Sequence, residues 1–253
     1  MYRTSTGGEA VARGVDVRDE RSRTDTGSSS EVVLALSAVT QDYLKVIWTC
    51  REWEPVTVTT KMLAEKLCVS ASTASETVRR LVDFGLVSHE PYGAICLTET
   101  GCAAALLMVR RHRLLETFLV RELGYGWDEV HDEAEVLEHA VSDRFVARLD
   151  DKLEYPSRDP HGDPIPSSDG SISRSQAALL ADLDTGTRGR IVRIADSDPE
   201  MLRYFESVGI GPDRVVTVVA RRDFAGTIEI SVDGGCLIVL GDIATRAIWL
   251  AVR

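Results

Sequence analysis

VTTKMLAEKLCVSASTASETVRRLVDFGLV, residues 58–87, reads as two short helices joined by a tight turn. Thr59 or Thr60 can cap the first, which carries Met62, Leu63 and Leu67. A hydroxyl just before an apolar periodic run satisfies backbone N–H groups that have no partner inside the helix. Val69 and Ser70 make the turn. Ser70 or Ser72 caps the second helix, whose Ala74, Val78 and Leu81 fall on one face. Gly85 stands where helices end in a left-handed residue. The next residues, SHEPYGAICLTETG (88–101), are two short strands around Pro91-Tyr92-Gly93. Upstream, a helical pattern begins near Val32, is clear in SAVTQDYLKVIWTC (37–50) and ends at Pro55. Three helices followed by a hairpin make a winged helix-turn-helix.

In that motif the start of the second helix of the pair meets base edges in the major groove. Here it offers Ser70, Ser72, Thr73, Ser75 and Glu76, with Arg79 and Arg80 behind them for phosphates. Small hydroxyl residues let the helix approach closely and bond to phosphate or base. His89 and Tyr92 of the wing are further phosphate candidates. The bland alternative is a helical domain used for protein contact.

Charge adds a condition. The 253 residues hold 29 Lys and Arg against 40 Asp and Glu, a formal charge of −11. Phosphate neutralisation dominates nonspecific affinity, so such a chain needs pairing or activation to hold DNA. No apolar run approaches the roughly 18 residues that span a bilayer, and no secretory signal opens the chain. Five unpaired-looking cysteines suit a reducing cytoplasm. More than half the charge deficit lies in 101–165, with 8 basic and 14 acidic side chains.

That block reads as a long helix, TGCAAALLMVRRHRLLETFLVREL (100–123), broken by Gly124 and Gly126. A second helix, DEVHDEAEVLEHAVSDRFVARLDDKL (128–153), follows, capped by Asp128. On a continuous helix, His131, Glu135, Glu138 and His139 share one stripe, and His112 and Glu116 form another pair. Antiparallel packing across the intervening turn brings the two groups together. Carboxylates and imidazoles on one stripe repel when empty and invite a divalent cation; the bland reading is a salt-bridged surface. A donor set without thiolate suits Mn(II), with Fe(II), Co(II) and Zn(II) as competitors. Di-iron carboxylate enzymes also use such groups, but they need Glu-x-x-His repeats, which are absent, as are GxSxG, HExxH and P-loop motifs. No enzyme is expected.

The expected divisions are a disordered tail at 1–36, the winged helix-turn-helix at 37–99, a helical metal-binding and dimerisation domain at 100–165, a connection at 166–182 and a small β-barrel at 183–253. His161, in YPSRDPHGDPIPSSDGS (155–171), is expected to be exposed.

Over about residues 38–253 the chain resembles the iron- and manganese-dependent repressors related to the diphtheria toxin repressor. The motifs that carry the resemblance are VTQDYLKVIW, VSASTASETVRRL, RRHRLLE, VHDEAEVLEHAVSD and HGDPIP. The resemblance implies a mainly α protein with a C-terminal SH3-like, FeoA-like domain, acting as a homodimer on a double-stranded operator. It implies a primary metal site of Asp42, Glu135, Glu138 and His139. Iron regulators of the family carry Met and Cys in place of Asp42 and Glu135, and manganese regulators carry the acidic pair. A closely spaced binuclear site is in doubt, because Lys45 stands where some compact members have Glu. An ancillary site would use His112, Glu116 and His131, completed by an acidic group aligned with Asp198 and Met201, or by Glu200. The expected function is Mn(II)-activated repression of manganese-uptake genes in the cytoplasm. The alternatives are an Fe(II)-responsive repressor and a metal-buffering protein that does not bind DNA.

Overall fold

The computed structural model describes residues 36–90, 93–173 and 176–252. The tail at 1–35 and the wing residue Tyr92 lie outside them.

The first core is built by α1 (Ala38–Thr49), α2 (Thr60–Lys66), α3 (Ala71–Asp83) and the hairpin β1 (Val87–His89) with β2 (Ile95–Leu97). Side-chain caps start all three helices: Ser37 accepts from Thr40 N, Thr59 from Met62 N and Ser70 from Thr73 N. Tyr43, Leu44 and Ile47 of α1, Leu63 of α2 and Leu81 of α3 are fully buried together. Gly85 has φ 68°, as a C-terminal stop requires.

The long α4 (Glu99–Leu123) belongs to two cores. Its start lies on the hairpin so closely that a Cβ on Gly101 would fall 1.9 Å from Leu86 O. Ala104, Ala105, Met108 and Val109 complete the first core. Leu114, Leu115 and Leu119 pack instead with α5 (Val130–Leu137) and α6 (Asp143–Lys152). The single helix expected over 128–153 is thus two helices. Ser142 accepts from Phe145 N and starts a new helix, while Glu138 is the C-cap of α5. Asp128 caps nothing; it pairs with Arg203 at 2.9 Å.

Beyond the connection, β3 (Ala178–Leu179), β4 (Arg188–Ile194), α7 (Pro199–Ser207), β5 (Val215–Arg222), β6 (Thr227–Val232), β7 (Leu237–Gly241), α8 (Asp242–Thr245) and β8 (Ile248–Val252) form the third core. Residues 178–179, read from sequence as connection, pair with β8. The strand order is β3-β8-β4-β5-β6-β7, so the sheet is open rather than a closed barrel. The short α8 packs against β7 and against the 3-10 turn that follows β3, taking the place where the edges would otherwise meet. A register shift between Ile191 and Arg193 bulges β4 at Val192. The segment after α6 docks on that bulge: Ile194 N donates to His161 O at 2.9 Å, and a Cβ on Gly162 would lie 2.0 Å from Val192 O.

Candidate metal centre and DNA-binding face

A buried stretch of α4 is charged: Arg110, Arg111, His112, Arg113 and Glu116 are all under 9% exposed. Burying such groups is tolerated only when they are paired. His112 and Glu116 face α5 and share a cleft of about 680 Å³ with Asp42 and Lys45 of α1, His131 and Glu135 of α5, and Asp196 after β4.

Asp42, Glu138 and His139 converge, as do His112, Glu135 and Glu138, with one donor atom from each residue inside a 4.8 Å sphere. His139 Nε2 lies 2.8 Å from Asp42 Oδ1. That oxygen is nonetheless buried without a hydrogen bond, because the two atoms approach without donor–acceptor alignment. His139 Nδ1 lies 2.8 Å from Gln41 Oε1, which fixes the ring. The helix break after Leu137 brings His139 to Asp42 of α1, so the four residues do not form the single continuous-helix stripe expected from the sequence.

Lys45 occupies the middle of this acidic group. Its Nζ donates to Glu135 Oε1 at 2.7 Å and to Glu138 Oε1 at 2.5 Å. The other Glu138 oxygen meets His112 Nδ1 at 2.7 Å. On the far side of the imidazole, His112 Nε2 lies 3.0 Å from Glu116 Oε1, and His131 Nδ1 lies 3.4 Å from the same oxygen. His131 also meets Glu135 and Asp196, each at 3.5 Å. Asp198 stands elsewhere: its carboxylate accepts from Glu200 N and Met201 N as the N-cap of α7.

The second oxygen of Glu116 faces His161, whose Nδ1 is 3.9 Å away. His161 is 0% exposed, contrary to the sequence expectation, and Nδ1 is a buried atom without a hydrogen bond. Its Nε2 lies 2.7 Å from Trp127 O. Glu116, Asp159 and His161 form a further group of converging donors. Sequence reasoning missed Asp159, His161 and Asp196. The available signal was the density of Asp, Pro and His in RDPHGDP, which reads equally well as an ordinary turn.

Protonation shows how strained the cluster is. Burial would lower the His112 imidazolium, but the Glu116 and Glu138 carboxylates outweigh it and hold its pKa at about 10. Burial would raise Glu116, but His112, His131 and His161 hold it well below the carboxylate range. Burial, with Asp163 and Glu116 nearby, pushes Asp159 up to about 8. Burial also raises Asp42. Protons and Lys45 thus neutralise charge that a divalent ion could neutralise.

The candidate DNA-contacting residues lie on α3. Ser70, Ser72, Thr73, Ser75, Glu76, Arg79 and Arg80 are all exposed along one side of α3. Ser70 Oγ bonds Ser72 Oγ and Thr73 Oγ1, each at 2.8 Å, so the helix start is held before any ligand arrives. His89 sits on β1 and is half-buried.

Three family models match in succession. Residues 35–95 match the N-terminal DNA-binding domain of iron dependent repressors, 98–167 their metal binding and dimerisation domain, and 178–252 the FeoA domain. The chain belongs to the iron-dependent repressor family. This repressor is a metal-dependent, DNA-binding transcriptional regulator. It is 32% identical over 207 residues to the iron-dependent repressor IdeR of Mycobacterium leprae (strain TN), covering 77% of this chain and 89% of that one. The diphtheria toxin repressor of Corynebacterium diphtheriae is 36% identical over 168 residues, 66% of this chain and 71% of that one. Among solved structures, a manganese-dependent transcriptional repressor in complex with manganese is 58% identical. It covers 85% of this repressor and 100% of its own chain, with a TM-score of 0.82.

Proposed function

We propose that this repressor is activated by Mn(II) and silences manganese-uptake genes, binding a double-stranded operator as a cytoplasmic homodimer. The observation that carries the reading is the donor set. Asp42, Glu135, Glu138 and His139 offer only carboxylate and imidazole, and no cysteine joins the converging groups among the described residues. Hard oxygen donors with imidazole favour Mn(II) over softer ions. Relatives described as manganese-dependent support the choice, while the IdeR and diphtheria toxin repressor relatives keep Fe(II) as the second reading. No described helix is long and apolar enough to cross a membrane.

A second ion would be held around Glu116. His112 and His131 face one of its oxygens and His161 the other, with Asp196 and Asp159 as added carboxylates. When bound, Mn(II) supplies two positive charges and shared coordination between helices. Asp42 belongs to α1, whereas Glu138 and His139 belong to the end of α5. Joining them orders α1 against the helical core, and α1 shares the first core with α3, the helix offered to the major groove.

The test is retardation of duplex DNA against a series of divalent ions. Mn(II) is expected to promote a sequence-specific complex, and Asp42→Ala to weaken it by about tenfold or more. Equal binding with and without any metal would remove the reading. A stronger response to Fe(II) than to Mn(II) would transfer it to iron.

A further inference from the structure

Helix α1 carries a candidate ligand, Asp42, in its first half, but its other end is also held. Glu52 is 6% exposed and takes both terminal nitrogens of Arg113, at 3.0 and 2.5 Å. Arg113 Nη1 also donates to Pro164 O at 2.7 Å. The next residue, Trp53, donates from Nε1 to Asp163 Oδ1 at 2.6 Å. That same oxygen accepts from Arg193 Nε at 2.8 Å. The Arg193 guanidinium lies 5.0 Å from the Trp53 ring centre and 4.2 Å from that of Trp249. The two rings are themselves 5.9 Å apart.

Three parts of the chain therefore meet at one guanidinium. Trp53 comes from the DNA-binding half, Asp163 from the end of the helical domain, and Arg193 and Trp249 from β4 and β8 of the C-terminal domain. The bulge at Val192 re-aims Arg193 to this point. None of its partners is among the converging metal-donor groups.

We infer that Arg193 is a positioning residue for DNA binding: through Trp53 and Asp163, neither of them a candidate metal donor, it ties the C-terminal domain to the far end of α1 and sets the orientation of the winged helix. A guanidinium against aromatic faces and on a carboxylate is planar and directional, so it fixes angle as well as distance. The C-terminal domain is then a strut on the reading head. The inference rests on the proposed metal-activated DNA binding, and its experiment has one arm that needs no DNA.

Full-length Arg193→Ala, Arg193→Lys and Trp53→Phe are compared with wild type, using a duplex selected by the wild-type chain with MnCl2 from a randomised pool. The Mn-loaded Arg193→Ala chain is expected to bind that duplex about tenfold more weakly. Mn(II) uptake, followed by electron paramagnetic resonance, is expected to stay within about twofold, because the altered side chain touches no candidate ligand. Arg193→Lys keeps the charge on Asp163 but not the planar stack and recovers part of the loss. Trp53→Phe removes the indole N–H and one of the two fused rings but leaves an aromatic face for Arg193, and it is expected to lose part of the duplex affinity. In the arm without DNA, amide exchange at Arg51 and Glu52 accelerates in Arg193→Ala with and without Mn(II). Unchanged exchange there overturns the latch whatever the DNA arm shows. Duplex affinity unchanged in Arg193→Ala, or lost in step with Mn(II) uptake, also overturns it. Wild-type chain that selects no duplex with any divalent ion removes the DNA-binding reading instead, and the exchange arm still decides whether Arg193 holds α1.

Discussion

Lys45 is a permanent cation inside a group of acids. Burial works against its charge, yet Glu138 and Glu135 more than compensate, and its pKa is raised. In Lys45→Gln the two carboxylates lose their internal counter-charge. The metal-free chain is expected to lose about 3 kcal/mol of stability, as when one partner of a buried pair is removed. Mn(II) affinity should rise in the same variant, because the ion then repairs a larger defect. Thermal melting in chelator and calorimetric Mn(II) titration check the two halves separately. The cluster also predicts a pH response. His112 has a folded pKa of about 10 against an ordinary 6.5, so its contribution is fully present below 6.5 and is lost as pH rises through 10. Asp159, raised to about 8, favours the folded state in its protonated form and acts in the same direction. The melting temperature of the metal-free chain should therefore fall from neutral pH toward pH 10. A flat or rising profile would show that the buried carboxylates carry their charge without help from these protons.

At the scale of the elements, the turn between α2 and α3 places Cys68 at φ 52°, a left-handed conformation that glycine adopts without penalty. Cys68→Gly should stabilise the chain by about 1 kcal/mol, read as a higher melting temperature with DNA binding unchanged. The starts of α2 and α3 were legible in the sequence because each depends on one local hydroxyl, Thr59 and Ser70, whereas Ser37 was not read as a cap and the expected cap Asp128 is not one. The break at 138–142 was not legible, since Glu138, His139 and Ala140 carry no helix-breaking residue and Ser142 begins the next helix. Which residues are candidate donors was largely readable, because a donor type is a property of a residue. How they meet was not. Asp196 and Asp198 are two residues apart and chemically identical, and only the end of β4 decides that one faces His131 while the other caps α7. The open sheet likewise depends on where α8 packs, which strand alternation does not encode.

For the whole molecule, a charge of −11 means that duplex binding relies on a few local cations rather than on the overall field. With Arg79 and Arg80 from each half of a dimer on phosphates, the affinity of the Mn-loaded protein should drop roughly a hundredfold between about 50 and 200 mM salt. Arg79→Ala should lessen the log–log slope in proportion to the phosphates released, at about 0.9 for each. A slope that does not change would take Arg79 off the backbone. The seat of the C-terminal domain has a main-chain part beside the Arg193 contacts: the His161 carbonyl on Ile194 N, and Gly162 against Val192 O. That part of the joint does not consult side chains. Provided the glycine and the Arg193 contacts are kept, the outer surface of that module is free to diverge among descendants without altering the angle at which it is mounted. Lineages could then refit its exterior for new tasks while inheriting the same hinge-free bracket.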